Sequence, residues 1–172
     1  CEDQIIRLTQ AIEDGFQKKR LERSVLVLLD FSKAYDMVWQ EKLLVGMAEK
    51  GVPIQYLRWL RAFLTNRQAN VRFCDATSKT RVMRQGLPQG SVLSPILFLF
   101  YINECAERLS MLVDEEGEPT VLSSLFADDV SILGTDRVRT EAERKAQEAV
   151  DVVVEWSKEA KRAATVTAVT LD

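Results

Sequence analysis

The stretch Val121–Leu133, V-L-S-S-L-F-A-D-D-V-S-I-L, constrains this chain more than any other. Two apolar, β-prone runs, VLSSLFA and VSIL, are separated only by Asp128 and Asp129, which predicts a tight β-hairpin with two carboxylates at its tip. Aspartate is also a favoured turn residue, because its side chain bonds the nearby backbone. The hairpin alone therefore fits a purely structural turn equally well. A second segment shifts the balance. Ser24–Asp30, S-V-L-V-L-L-D, is a nearly continuous aliphatic run that predicts a central strand buried on both faces. It ends in Asp30, and a carboxylate at the end of a buried strand is costly unless it is paired or bound to a metal.

If the strand and the hairpin are neighbours in one sheet, Asp30, Asp128 and Asp129 can converge on one face. Two like charges about 4 Å apart repel by about 4 kcal/mol at an effective dielectric near 20, so such a cluster needs cations. Oxygen-only ligands select magnesium or manganese over zinc. Two such ions are what in-line phosphoryl transfer requires, one at the attacking hydroxyl and one at the leaving phosphate.

The 172 residues suffice for one domain with a sizeable core, at 47% hydrophobic and 28% charged residues. No run approaches the roughly 20 apolar residues of a membrane span, and no secretory signal pattern opens the chain, so no membrane partner is expected. Histidine is absent, which excludes His general bases, Ser-His-Asp and Cys-His sites and His-bearing zinc sites. Cys1, Cys74 and Cys105 are odd in number and far apart, with no C-x-x-C pair; an intracellular, reducing setting is expected. The net charge of −3 conceals a basic stretch from Arg58 to Arg84, where seven basic residues stand against the single acid Asp75, a net of +6. Such a stretch is a phosphate footprint or a solvated face.

Periodicity predicts an amphipathic helix over Glu2–Lys19 and a second over Met37–Lys50, closed by Gly51. A third starts at Val52-Pro53, with Pro53 in its first turn, and ends at Thr65. Ala69–Cys74 and Thr80–Gln85 predict a basic hairpin around D-A-T-S-K. Gly86–Ser91 reads as a rigid, extended loop before an apolar helix over Leu93–Leu109. A long helix over Asp136–Lys161 and a strand over Thr165–Leu171 complete the chain. Helices and strands mix without a βαβ rhythm, so the predicted class is α+β with a mainly antiparallel sheet.

Three segments in this order, L-V-L-L-D-F-S-K-A-Y-D, R-Q-G-L-P-Q-G-S-V-L-S-P-I-L-F and F-A-D-D, resemble the palm of a reverse transcriptase of the non-long-terminal-repeat retrotransposon type. The resemblance covers nearly the whole chain and implies a palm-like antiparallel sheet with packed helices and a partial fingers subdomain. It places residues 24–36 and 89–172 in the palm and 1–23 and 37–88 on the fingers side. It implies an RNA-directed DNA polymerase using an RNA template, a DNA primer and deoxynucleoside triphosphates, with two magnesium or manganese ions. Asp30 and Asp128 resemble the metal-binding carboxylates, Asp129 their partner acid, and Phe31 a backbone carbonyl ligand. Tyr35 resembles the aromatic that excludes a 2′-hydroxyl, and Gln89 and Gly90 the loop contacting the incoming nucleotide, with Ser91–Pro95 shaping its entry into the helix.

Arg67, Arg72, Arg81 and Arg84 would meet template phosphates, and Lys161 is the candidate proton donor to pyrophosphate. Asp36 reads as structural. The triphosphate-holding fingers segment that would precede the chain and the thumb that would follow it are not in this sequence, so it reads as a fragment. Two rival readings remain: a catalytically silent module of the same fold that binds RNA or a protein, and a palm-type nucleotidyl cyclase. The Gln85–Pro95 block has no place in a cyclase.

Overall fold

The structure is a computed structural model that describes residues 2–18 and 21–160 in full and residues 164–171 in backbone. The described residues form two compact units, Cys1–Ser32 with Asn103–Asp172, and Lys33–Ile102.

The first unit is built on a four-stranded antiparallel sheet. β1 (Arg23–Phe31) is central, between β7 (Asp129–Asp136) and β8 (Ala164–Leu171), and β6 (Val121–Phe126) forms the far edge beside β7. The expected α+β class and antiparallel sheet are both present. Along β1, Val25, Val27, Leu29 and Phe31 are buried, whereas Leu28 and Asp30 are exposed. The strand is therefore central yet sealed on one face only, which corrects the expectation of burial on both. With side chains alternating across a strand, Asp30 falls on the open face and bears no burial cost.

The sealed face packs on α5 (Arg139–Glu159), whose Ala142, Ala146, Ala149, Val150 and Val153 are buried. Gly134 of β7 makes the close approach possible: a Cβ there would lie 2.6 Å from the Ala142 carbonyl oxygen and 3.2 Å from the Ala146 Cβ. At the far end of α5, Trp156 is fully buried, meets Phe31 edge-on at 5.5 Å between ring centroids, and donates its Nε1–H to Glu104. A large ring buried with its polar atom satisfied contributes both area and orientation.

α1 (Glu2–Gln17) belongs to this unit, tied to the sheet by the Ser124 hydroxyl, which donates to the Gln4 Oε1. α1 thus clusters with the sheet, whereas residues 89–102 cluster with the second unit.

That second unit holds α2 (Gln40–Glu49), α3 (Ile54–Leu64) and the beginning of α4 (Ser94–Ser110). Pro53 caps α3 rather than lying in its first turn. Between α3 and α4 a ribbon forms in two nested pieces, β2 (Arg67–Ala69) with β5 (Arg81–Met83), and β3 (Arg72–Phe73) with β4 (Ala76–Thr77). The predicted basic hairpin exists, but its turn is Cys74-Asp75, with Cys74 at φ 51°, and not the D-A-T-S-K loop.

Candidate active site

Register is what assembles the acids. Asp30 of β1 pairs directly with Asp129 of β7, and Asp129 pairs in turn with Phe126 of β6. One step further from the tip, Leu28, Ser131 and Ser124 form the next row. Directly opposed antiparallel residues share a face, with Cβ atoms about 5 Å apart. These two rows line an open cavity of about 380 Å³, together with Gln4. Asp30 and Asp129 are both exposed into solvent, and among the described residues neither carboxylate is bonded to a lysine or arginine.

The hairpin turn lies one residue earlier than the sequence suggests. Its two loop residues are Ala127 and Asp128, while Asp129 already belongs to β7. This register keeps Val130 and Ile132 on the sealed face, opposite Leu29 and Val27, and a slip by one would turn both outward. Ala127 takes φ 53° and Asp128 does not share the positive sign, the pattern of a II′ turn, which normally favours glycine at that first position. Asp128 sits at this tip, half-buried, and does not line the cavity. Among the described residues no three acidic or thiol side chains are grouped as a metal site. The register thus opposes Asp30 and Asp129 directly, with Asp128 next to them in the turn. Period-two alternation fixes Asp129 toward Asp30 but does not extend to a residue in the turn.

Phe31 is buried through its side chain and lies one residue beyond the β1–β7 ladder. Lys161 lies outside the described residues. Oxygen donors without a protein cation between them suit a hard divalent ion; the Asp30–Asp129 pair fits that requirement.

In the second unit Tyr35, Gln89 and Gly90 line one cavity of about 470 Å³ with Ser91, Ser94 and Pro95. The three residues that the resemblance places at the nucleotide thus line the same cavity. Tyr35 stacks on Phe98, with centroids 4.8 Å apart and planes at 24°. The loop 86–94 is bound to the segment 35–40 by the Leu87 N–H to the Tyr35 carbonyl (2.8 Å), the Gly86 N–H to the Val38 carbonyl (2.9 Å) and the Gln40 Nε2 to the Gly86 carbonyl (3.0 Å). Gly86 has φ 82°, and a Cβ would stand 2.6 Å from the Asp36 carbonyl oxygen, so only glycine fits. Ser94 Oγ donates to the Pro88 carbonyl at 2.5 Å and fixes the loop's entry into α4. The Gln89 Nε2 donates to Asp36 Oδ1 at 2.8 Å, a partnership that nothing in the spacing of the two residues signals.

The arginines divide. Arg72, Arg81 and Arg84 are exposed. Arg67 is turned inward: its Nε donates to the Leu64 carbonyl at 3.1 Å, and its Nη2 to the carbonyls of Gln85 (3.3 Å) and Gly86 (2.6 Å). Burial pushes its guanidinium below the usual arginine value. The Nε and Nη2 groups of Arg67, expected at template phosphate, are engaged in tying the loop to the end of α3.

The sequence profile described as "Reverse transcriptase (RNA-dependent DNA polymerase)" matches residues 4–165. The chain belongs to the reverse transcriptase family. Among its relatives, the probable RNA-directed DNA polymerase from transposon BS of Drosophila melanogaster is 32% identical over 158 residues, covering 91% of this chain and 17% of the relative. The RNA-directed DNA polymerase from mobile element jockey of Drosophila funebris is 28% identical, covering 90% and 16%. The chain thus spans about one-sixth of the length of the curated relatives it matches. Among solved structures, apo telomerase from Candida tropicalis, truncated from its C-terminal domain, superposes with a TM-score of 0.72 at 13% identity. That match covers all of this chain and 36% of that one. Telomerase from Candida albicans in complex with a fragment of telomeric RNA gives 0.71 at 12%, covering 99% and 30%. At such identity the likeness speaks for the fold, a polymerase palm, and the expected resemblance to retrotransposon reverse transcriptases holds.

Proposed function

We propose that this chain supplies the palm of an RNA-directed DNA polymerase, which extends a DNA primer on an RNA template with deoxynucleoside triphosphates. The observation that carries the reading is the Asp30–Asp129 pair, two carboxylates opposed in register on the open face of an otherwise sealed sheet. In this reading Asp30 and Asp129 hold divalent metal, with Asp128 at the hairpin tip and the Phe31 carbonyl as further ligands. Two magnesium or manganese ions, when bound, supply activation of the primer hydroxyl and neutralise charge on the leaving phosphate. The carboxylates' own part is to fix where that positive charge sits.

Tyr35, braced by Phe98, offers a flat, half-buried wall on which a 2′-hydroxyl would clash, and Gln89 and Gly90 offer polar contacts to the nucleotide. Arg72, Arg81 and Arg84 are assigned to template phosphates, where their exposure suits salt-sensitive binding. The reading also carries a place inside the cell, in cytoplasm or nucleus.

Calorimetric titration with magnesium and manganese tests it, on the wild type and on Asp30→Asn, Asp129→Asn and Asp128→Asn, beside primer extension on an RNA template. Metal binding that falls at least tenfold in Asp30→Asn and Asp129→Asn supports the reading. Equal binding by wild type and both variants overturns it. RNA binding without metal binding or extension points instead to a silent module.

A further inference from the structure

α2 and α3 each bury one face and leave a second apolar face open. α2 packs through Leu43 and Met47, and α3 through Leu57, Leu60 and Leu64. Between the two helices runs a groove of about 320 Å³, on whose walls Val45 is 56% and Ile54 61% exposed. Arg58 and Arg61 line its α3 side, against the single acid Glu41 on α2. α3 carries no acid of its own, and among the described residues neither guanidinium makes an ion pair or a hydrogen bond. α1 has a face of complementary character. It meets the sheet through Gln4, whereas Ile5 and Ile6 stand 60% and 64% exposed. Glu2 and Asp3 occupy its first turn and, among the described residues, pair with no lysine or arginine. Glu2 lies three and four residues before Ile5 and Ile6, so the three share one helical face. The spacing matches: Glu2 leads the two isoleucines by about 4.5–6 Å of helix axis, and Arg58 and Arg61 stand about 6 Å beyond Ile54 and Leu57 respectively.

We propose that this groove is the docking site for α1 of a second copy of the chain, with Ile5 and Ile6 entering between Val45 and Ile54 while Glu2 and Asp3 meet Arg58 and Arg61. α1 of the second copy then runs antiparallel to α3. The mode is an amphipathic helix laid in an apolar groove, with charge deciding which end goes where. Each copy carries both halves, so the contact is heterologous, and one α1 fills one groove. A single contact thereby covers both exposed apolar faces and pairs both sets of unpartnered charges.

Sedimentation velocity of the whole chain over a range of concentrations tests this. The wild type should self-associate, and more weakly as salt is raised, because the charges that orient the contact are screened. Arg58→Glu with Arg61→Glu should weaken association by about tenfold or more, and so should Glu2→Lys with Asp3→Lys, since each sets like charges against one another. An equimolar mixture of the two double variants should associate again, because each keeps one half intact and the reversed halves match. Ile6→Gln, at an exposed position and with every charge left in place, should also weaken association severalfold. A wild type that stays monomeric overturns the proposal and leaves the groove to an acidic helix of another protein. Association lost in the arginine variant but kept in both α1 variants would mean groove against groove, and overturns α1 as the occupant. A mixture that stays monomeric, although both variants have unaltered circular dichroism spectra, overturns it as well.

Discussion

Asp30 and Asp129 face one another across adjacent antiparallel strands, each the other's register partner. Like charges in that position destabilise a sheet by about 0.2–1 kcal/mol, and here no protein cation offsets them among the described residues. The same two strands are tightly specified elsewhere: Leu29, Val130 and Ile132 are almost fully buried on the opposite face. Burial on one face therefore sets the register that crowds the acids on the other.

A direct consequence concerns stability without metal. Asp30→Asn keeps the shape of the side chain and removes the repulsion, so in a chelating buffer it should melt about 1–3 °C above wild type, given about 2–4 °C per kcal/mol at this length. Adding magnesium should raise the wild-type melting temperature and leave the variant nearly unmoved, since only a state that binds ligand is stabilised by it. Differential scanning calorimetry with and without magnesium checks both. A variant that melts below wild type in chelator would show that the pair is not repulsive.

The hairpin tip supplies a second expectation. Ala127 sits at φ 53°, a left-handed conformation that costs a residue with a Cβ about 1 kcal/mol. Ala127→Gly relieves that cost but adds freedom to the unfolded chain. The net change in unfolding free energy should be small, within about 0.5 kcal/mol, while hydrogen exchange at Asp128 and Asp129 should quicken as the tip loosens. Urea denaturation and amide exchange measure the two separately.

How much of this the sequence could show depends on what each signal reports. The apolar run before Asp30 and the pair of runs around the acids predicted a central strand and a hairpin, because burial of one face leaves a period that any residue order must keep. The exact turn was not legible. Asp128-Asp129 is the stronger turn pair by residue preference, but Val130 pairs with Leu29 of β1, far away in the chain, as well as with Leu125 of β6, and burial against β1 decides the register. Arg67 shows a similar limit. In the sequence it is one arginine among seven basic residues, and only the fold reveals that the carbonyls of Leu64, Gln85 and Gly86 surround it. The Asp36–Gln89 bond joins residues 53 apart and carries no local pattern.

Packing of α5 on the sheet turns on Gly134. Gly134→Ala would place its Cβ 2.6 Å from a helix carbonyl oxygen, and since neither backbone can yield without moving α5, overpacking of about 1–3 kcal/mol is expected. Gly46→Ala, where a new Cβ meets nothing within 4 Å, is the control and should be neutral or slightly stabilising in the helix α2. Chemical denaturation of both variants decides: equal stabilities would mean that α5 does not press on β7 as closely as the geometry says.

Arg67 and Asp136 give opposite charge predictions. Arg67→Met removes donors to the carbonyls of Leu64, Gln85 and Gly86, the last of which keeps the Gln40 Nε2, and should cost about 0.5–1.5 kcal/mol with little dependence on salt. Asp136 is different. Burial pushes its carboxyl up, but the Lys145 hydrogen bond (2.7 Å), the N–H groups of Val138 and Arg137 and the Lys145 charge outweigh this and hold it below the usual value of 3.8. A carboxyl depressed in the folded state stabilises that state fully above 3.8, and the contribution is lost as the pH falls through its folded-state value. Lys145→Met should therefore cost about 0.5–1 kcal/mol at pH 7, the size of a partly exposed pair, and progressively less as the pH is lowered beneath 3.8. Unfolding curves of wild type and Lys145→Met between pH 7 and pH 2 measure the gap; a gap that stays constant or widens in acid would show that Lys145 acts through packing of its aliphatic stem rather than through Asp136.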